Sequence, residues 1–274
     1  MKPGDETSLG DPETLQQRLG TAVIGKSLHL FNRITSTNDY LKSLARAGAV
    51  TGTVVWANEQ TRGRGRLGRT WHSPPGQGLW FSFLMRPAIP AEQLGMISLA
   101  IAAIVAEVLA EASGASLEVK WPNDVLHDGR KLCGILCEAQ MSQDRIEHVV
   151  CGTGINFSLE SDNSAAWRQH STSLLAASGK HLRFDTVFLA LMRALDAALF
   201  GDLTAVLPAL RAKWCALCGD LGKPVTVTST TATAPQVWEG RFIDLGPNGE
   251  LQLQLPAGNI RSFQSGEITL RRGG

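Results

Sequence analysis

The densest cluster of charged side chains lies in a glycine-rich loop, QTRGRGRLGRTW, at residues 60–71. Its four arginines repel one another, so the loop is expected to become compact only when an anion neutralises them. Guanidinium groups suit phosphate and carboxylate oxygens, and the glycines let backbone N–H groups approach a ligand closely. We predict an anion-binding active-site loop, with a solvated basic loop and an RNA-binding element as the alternatives. Trp71 either covers a flat ligand ring or closes the core.

A second segment, KWPND at residues 120–124, ends a predicted strand in a turn. Pro122 forces the turn, which presents Asn123 and Asp124 at the strand end. A carboxylate beside an amide suits magnesium, a metal that takes one or two protein oxygens together with nucleotide phosphates. An ordinary Asx turn is the alternative.

Lys131 begins an apolar strand, KLCGILCE, at residues 131–138. Burying its ammonium is costly unless an anion meets it. Glu138 is a candidate structural partner, but strand alternation places the two side chains on opposite faces. The pattern therefore favours a ligand anion as the partner of Lys131.

A third segment, GTGIN at residues 152–156, places two glycines inside a predicted strand. Glycine there indicates that another group approaches the backbone closely. The group is either a ligand, with Asn156 donating to a phosphate or purine, or another part of the chain in a tight crossing. The sequence leaves both interpretations open.

Apolar patterning predicts the elements that hold these segments, and their irregular order indicates an α+β fold with a mixed sheet. Ser36 offers an N-cap for a helix that ends near Gly48, and Asp128-Gly129 predicts a tight hairpin. The other predicted helices span residues 90–113, which are apolar on most sides, 185–200 and 203–218. Strands are predicted at residues 28–33, 53–57, 79–85, 117–121, 132–139 and 145–157.

Beyond Gly219 the texture changes to five short strands separated by turns, which predicts a small β-barrel. We therefore divide the chain into a catalytic domain, residues 28–220, and a C-terminal barrel, residues 221–274. Residues 1–27 are predicted to be an extension with one helix at residues 12–19. That is too little sequence for a helix-turn-helix domain.

Composition excludes several classes of protein. The chain has 274 residues, 26 basic and 25 acidic, so its net charge of +1 gives no general attraction to nucleic acid or membranes. The most apolar stretch, residues 96–109, is interrupted by Glu107 and is expected to be a buried helix, not a membrane span, and the N-terminus lacks the pattern of a signal peptide. Cys215 and Cys218 form a lone CxxC pair, which indicates packing more than zinc or redox chemistry.

In content, order and spacing, four runs resemble the biotin–protein ligases: GRGRLGRTW, KWPNDV, RKLCGIL and GTGINF. The turn Ser36-Thr37-Asn38 is similar to that family's substrate-binding turn. Trp214 and the run GEITLR at residues 266–271 resemble its C-terminal domain. The resemblance covers about residues 29–272 and implies an enzyme that activates biotin with ATP.

The resemblance also implies a role for each matching residue. The catalytic residues would be Lys131 and Arg66, and Asp124 would help to hold Mg²⁺. The biotin site would comprise Ser36, Thr37, Asn38, Gln60, Gly63, Arg64, Lys131, Gly134 and Gly152. The nucleotide site would comprise Arg66, Arg69, Trp71, Lys120, Asn123, Asn156 and Arg271.

A biotin carboxyl carrier protein would be the partner that receives biotin, in the cytoplasm, and a homodimer is left open. Because residues 1–27 cannot hold a helix-turn-helix domain, we expect no sequence-specific DNA binding. Lipoate or octanoate attachment on the same fold is the nearest alternative activity. A non-catalytic nucleic-acid-binding protein that uses the arginine loop is the alternative from another class.

Overall fold

A computed structural model describes residues 11–143, 145–159, 169–229, 236–265 and 268–272. Its α-helices are α1 (Pro12–Leu19), α2 (Thr37–Arg46), α3 (Leu94–Ser113), α4 (Leu174–Ser178), α5 (Phe184–Leu199) and α6 (Leu203–Leu217). Its strands are β1 (Leu28–Ile34), β2 (Val54–Gln60), β3 (Gly78–Met85), β4 (Glu118–Lys120), β5 (Asp124–His127), β6 (Arg130–Ser142), β7 (Arg145–Asn156), β8 (Pro224–Ser229), β9 (Val237–Leu245), β10 (Leu251–Gln254), β11 (Ile260–Phe263) and β12 (Ile268–Arg272).

The larger sheet has seven strands in the order β1-β2-β3-β7-β6-β5-β4. Strand β1 pairs in parallel with β2, and the other neighbours are antiparallel, so the predicted mixed sheet is confirmed. All eight residues of β3 are buried, because this strand is central and covered on both faces. Helix α4 was not predicted, since five residues are too short for a periodic signal.

Helices cover both faces of this sheet. Helix α3 packs against α5 and α6 on one face, and its apolar side chains belong to the main core, which confirms the predicted buried helix. The rings of Trp56 and Phe188 stack at 4.5 Å, which joins β2 to α5. On the other face α2 packs Leu41 and Ala45 against Val55 and its neighbours.

Two local predictions are confirmed by backbone geometry. Ser36 is the N-cap of α2, and its hydroxyl accepts a hydrogen bond from the N–H of Asp39. Asp128 and Gly129 connect β5 to β6 with φ values of 48° and 72°. Positive φ at both central residues is what a two-residue type I′ hairpin requires.

The C-terminal strands form an antiparallel sheet in the order β11-β10-β9-β8-β12. The five strands lie where the sequence predicted them, but within the described residues β11 and β12 do not pair, so the sheet is open there. It is attached to the larger sheet: the indole N–H of Trp121 donates to the Gly249 carbonyl at 3.1 Å. Gly249 also lies against Met96 and Leu99 of α3.

The described part of the N-terminal extension contains the predicted helix α1 and packs onto the catalytic part. Leu15, Leu19 and Ile24 are buried in the same core as α5. The Asp196 carboxylate accepts hydrogen bonds from three successive backbone N–H groups, those of residues 22–24, at 2.7–2.9 Å. Residues 11–27 therefore share a core with the sheet, and the boundary at residue 27 stays a prediction.

Candidate active site

A cavity of about 450 Å³ lies between the arginine loop, the N-terminus of α2 and the strands β6 and β7. This is a usual size for a small-molecule site. Nearly all of the predicted site residues line it: Ser36, Thr37, Asn38, Gln60, Arg64, Arg66, Arg69, Trp71, Lys120, Asn123, Asp124, Lys131, Gly134, Gly152 and Asn156. Segments up to 120 residues apart in the chain thus meet at one site.

One predicted residue lies outside the cavity lining, and another has a side chain outside the described part of the chain. Gly63 does not line the cavity; a Cβ there would lie 2.3 Å from the Trp71 carbonyl, so this glycine lets the two sides of the loop pack together. Arg271 belongs to β12, but its side chain is outside the described part of the chain. Its neighbour Leu270 does line the cavity, which brings β12 close to the site.

The arginine loop is folded back on itself. Gln60 bridges to Ser73, Arg64 bridges to Thr70, and a short 3₁₀ turn spans Arg66–Gly68 at the tip. This tight turn was not predicted, because repulsion among the arginines indicated an open loop.

The chain itself supplies counter-charges to this loop. Arg64 Nη2 lies 2.6 Å from both Glu138 Oε2 and Asp39 Oδ1, and Lys42 also contacts Glu138. Burial alone would raise the pKa of Glu138, but hydrogen bonds from Lys42 and Asn38 bring it below its ordinary value. The prediction that compactness depends on a ligand anion is therefore wrong for Arg64.

Arg66 reaches across the cavity. It contacts Asn123 Oδ1 at 3.4 Å and the carbonyl of Ser265, which precedes β12. Burial lowers the pKa of the Arg66 guanidinium. A desolvated guanidinium facing a cavity is a strong attraction for phosphate or carboxylate oxygens.

Lys131 has a partner within the chain. Its Nζ lies 2.7 Å from Asp124 Oδ1 and 5.1 Å from the centre of the Trp71 ring. Glu138 is not that partner, as strand alternation predicted. The sequence favoured a ligand anion as the partner of Lys131, but the chain supplies one, because the pairing of β5 with β6 brings Asp124 beside it. An incoming anion would compete with Asp124 for this ammonium.

Glycines in β6 and β7 make room for protein side chains. A Cβ on Gly134 or Gly154 would lie within 2.9 Å of the Trp71 indole, and one on Gly152 would lie 2.2 Å from Asn38 Oδ1. The question left open by the sequence is thus answered for Gly152 and Gly154. The close approach is that of the protein itself, although both glycines also line the cavity.

The predicted nucleotide-site residues lie near one another, but two of them already hydrogen-bond to backbone carbonyls of the protein. The amide of Asn123 donates to the Ile135 carbonyl at 2.6 Å, and that of Asn156 donates to the Thr172 carbonyl at 3.0 Å. The Trp121–Pro122 peptide bond is cis and forms the turn that presents Asn123. The indole N–H of Trp71 is buried against Gly154 without a hydrogen-bond partner among the described residues.

The cavity offers a limited donor set for a metal. Asp124 is the one acidic residue among the described lining residues, and no group of three or more His, Cys, Asp or Glu that could hold a metal ion occurs in the described chain. One carboxylate suits a magnesium ion that arrives on a triphosphate, since this metal retains substrate and water ligands. All five cysteines are free, and burial raises the pKa of the Cys218 thiol to about 12, which agrees with packing at the CxxC pair.

Sequence reasoning missed several lining or supporting residues. Ser82 was signalled by its position, since it is the one polar residue in the buried strand GLWFSFLM. Ser171 and Leu270 carry no local signal, because tertiary packing alone brings them to the cavity.

Comparison with known proteins gives two family matches. Residues 30–156 match the biotin/lipoate A/B protein ligase family, and residues 220–271 match the biotin protein ligase C-terminal domain. The chain is 32% identical over 253 residues to the bifunctional ligase/repressor BirA of Bacillus spizizenii, which covers 92% of this chain and 76% of that protein. It is 34% identical over 233 residues to the biotin–[acetyl-CoA-carboxylase] ligase of Paracoccus denitrificans, and this match covers 82% of this chain and 93% of that protein.

The fold has a similar counterpart among solved structures. The biotin protein ligase from Aquifex aeolicus in complex with biotin and ATP superposes with a TM-score of 0.76 at 29% identity. The match covers 90% of this chain and 100% of that one.

Proposed function

The chain belongs to the biotin/lipoate protein ligase family and is an ATP-dependent biotin ligase, and from this premise we propose how its cavity performs the two half-reactions. In the first, a biotin carboxylate oxygen attacks the α-phosphorus of ATP, and the bond to pyrophosphate breaks. In the second, a lysine amine of a carrier protein attacks the acyl carbon of biotinyl-adenylate, loses a proton and releases AMP.

The observation that carries this proposal is the Lys131–Asp124 pair beneath the arginine loop. The first half-reaction brings together two anions, so its main requirement is electrostatic. Lys131 would leave Asp124 and bridge the carboxylate and the α-phosphate, while Arg66 would hold the phosphates from the opposite side. Both cations already lie at the cavity before substrates bind, so the exchange of Asp124 for the substrate anions at Lys131 is the main rearrangement required.

Asp124 would then be released toward Mg²⁺. When bound, the metal would neutralise charge on the pyrophosphate leaving group. In this proposal Asp124 pairs first with Lys131 and then with Mg²⁺, so the carboxylate always has a cationic partner. Adenylate formation should stop when EDTA removes the metal and return when Mg²⁺ is restored.

The loop would also protect the intermediate. Biotinyl-adenylate is a reactive anhydride, and closure of residues 61–71 over it would exclude water. Arg64 holds the side of this loop nearest to α2, through Asp39 and Glu138. Arg64 and Arg66 are thus engaged by groups of the protein itself, whereas Arg62 and Arg69 are exposed; the engagement of the first two disfavours the alternative of a nucleic-acid-binding loop.

Pyrophosphate release with each of three acids tests the proposal. Biotin should support release, whereas lipoate and octanoate should support it far less. Labelling of a biotin carboxyl carrier domain at one lysine tests the second half-reaction. Release driven by lipoate but not by biotin would contradict the assignment.

Two further parts of the proposal concern the cellular compartment and DNA binding. The five free thiols support a reducing compartment such as the cytoplasm. We also expect this 274-residue chain to bind no specific DNA sequence. A gel shift at physiological salt that persists against nonspecific competitor would contradict the second expectation.

A further inference from the structure

Ser82 is a fully buried hydroxyl at the back of the cavity, on the central strand β3. Its Oγ lies 2.6 Å from Asn38 Oδ1 and 2.7 Å from Thr37 Oγ1. Ser82 does not line the cavity itself, whereas Asn38 and Thr37 do. It therefore acts on any ligand through these two residues.

The direction of the hydrogen bond between Ser82 and Asn38 is determined by the neighbours of Asn38. The Asn38 Nδ2 donates to the Leu136 carbonyl at 3.2 Å and to Glu138 Oε2 at 2.8 Å. Both partners are acceptors, so the amide nitrogen must face them and the amide oxygen must face Ser82. An amide oxygen only accepts. Ser82 must therefore donate its single proton to Asn38.

Gln60 determines the other side of the network in the same way. Its Oε1 accepts from the backbone N–H of Thr37 at 2.9 Å, and its Nε2 donates to Ser73 at 2.9 Å. The Thr37 hydroxyl thus has two acceptors around it, Gln60 Oε1 at 3.0 Å and the Oγ of Ser82. The Thr37 hydroxyl therefore donates its proton to an acceptor of the protein in either case.

Thr37 lines the cavity, so its hydroxyl can offer a ligand there a lone pair but no proton. We propose that Ser82 is a specificity-determining residue that, through Thr37 and Asn38, makes this wall of the cavity a hydrogen-bond acceptor for a ring N–H of the acid substrate. The inference rests on the proposed function and deepens it. A cyclic urea carries ring N–H donors, whereas a ring that offers only sulfur or oxygen would place an acceptor against an acceptor.

Two ring analogues of biotin test this proposal. In each, one ureido N–H is replaced by a ring oxygen, giving the two isomeric cyclic carbamates. The KM for each acid is measured by pyrophosphate release at saturating ATP. One isomer should be disfavoured by the wild-type enzyme by on the order of 30-fold, because it leaves two buried acceptors facing each other.

The variant Ser82→Ala should reduce this discrimination to about threefold. Without the Ser82 acceptor, the Thr37 hydroxyl can turn and donate to the carbamate oxygen at the cost of one weaker hydrogen bond. The KM for ATP should not change. A purely structural role for Ser82 would weaken biotin and both carbamates equally, and an unchanged ratio would overturn the proposal.

Two further variants keep the test decisive. Ser82→Cys preserves the volume with a weaker donor and acceptor, so it should give intermediate discrimination; it decides the question if Ser82→Ala does not fold, and a wild-type ratio in it would overturn the proposal. Ser113→Ala removes an equally buried hydroxyl that bonds the Leu109 carbonyl far from the cavity, and it should leave the ratio unchanged. Failure of the wild-type enzyme to use biotin would count against the proposed function, not against the role of Ser82.

Discussion

Replacing Lys131 by methionine should separate its catalytic contribution from its structural one. Methionine keeps an unbranched side chain of similar length and removes the ammonium. If Lys131 bridges the carboxylate and the α-phosphate, the adenylation rate should fall on the order of 10²–10³-fold, as for the loss of one preorganised charge in a transition state.

The structural cost should be small by comparison. The side chains of Lys131 and Asp124 are 31% and 23% exposed, so solvent screens their attraction. Partly exposed ion pairs contribute about 1 kcal/mol or less to the free energy of unfolding. Urea unfolding should therefore show a slight loss of stability, far too small to explain the loss of rate.

The chain offers a matched control for this variant. Lys213 pairs with Glu107 at 2.6 Å on the surface, away from the cavity, with side chains 39% and 56% exposed. Lys213→Met should cost at most a similar amount of stability and leave adenylation unchanged. Near-normal pyrophosphate release by Lys131→Met, with both variants folded, would refute the role assigned to Lys131.

Three other perturbations have defined outcomes. Arg66→Gly should retain biotinyl-adenylate about one to two orders of magnitude less well, because one charge-assisted contact is lost. Mass spectrometry should then find biotin on bystander proteins, and bystander labelling at the wild-type level would contradict this. Trp121→Phe removes the hydrogen bond to Gly249, so the turn at Asn123 loses its support. The KM for ATP should rise severalfold with little effect on the KM for biotin. An equal rise in both KM values would show a general loss of structure. Asp185 has a pKa lowered to about 2, chiefly by a hydrogen bond from Arg183, so its contribution to stability is present above its ordinary pKa of 3.8 and is lost as the pH falls toward 2. Asp185→Asn should therefore be less stable than wild type near pH 7 by about 1 kcal/mol or less, and the difference should disappear in acid unfolding measurements.

The sequence predicted most of the fold because the patterns are local. The cap at Ser36, the hairpin at Asp128 and the buried helix α3 are each indicated by residues that are close neighbours in the sequence. The cavity lining was also predicted, but through resemblance of motifs and not through geometry. The predicted barrel is an open sheet within the described residues, because closure depends on which strand edges meet and no local pattern reports that.

Charge pairing was the least predictable part of the site. The partners of Arg64 lie far away in the chain, at Asp39 and Glu138. Asp124 meets Lys131, seven residues later in the chain, because the β5–β6 hairpin brings the two side chains together. The contacts of Arg64 do not follow from periodicity or composition, whereas that of Lys131 spans the predicted hairpin, and both change what a ligand must displace.

The packing of Trp71 on bare backbone constrains how this sequence can change over time. The indole occupies the space where side chains would stand at Gly134 and Gly154. Alanine at either glycine would be rejected while tryptophan is present, and would become acceptable only after a smaller residue had replaced it. The order of substitutions therefore matters: the three positions should change together or not at all. A single exchange between distant homologues should displace Trp71 and disturb the arginine loop to which it belongs.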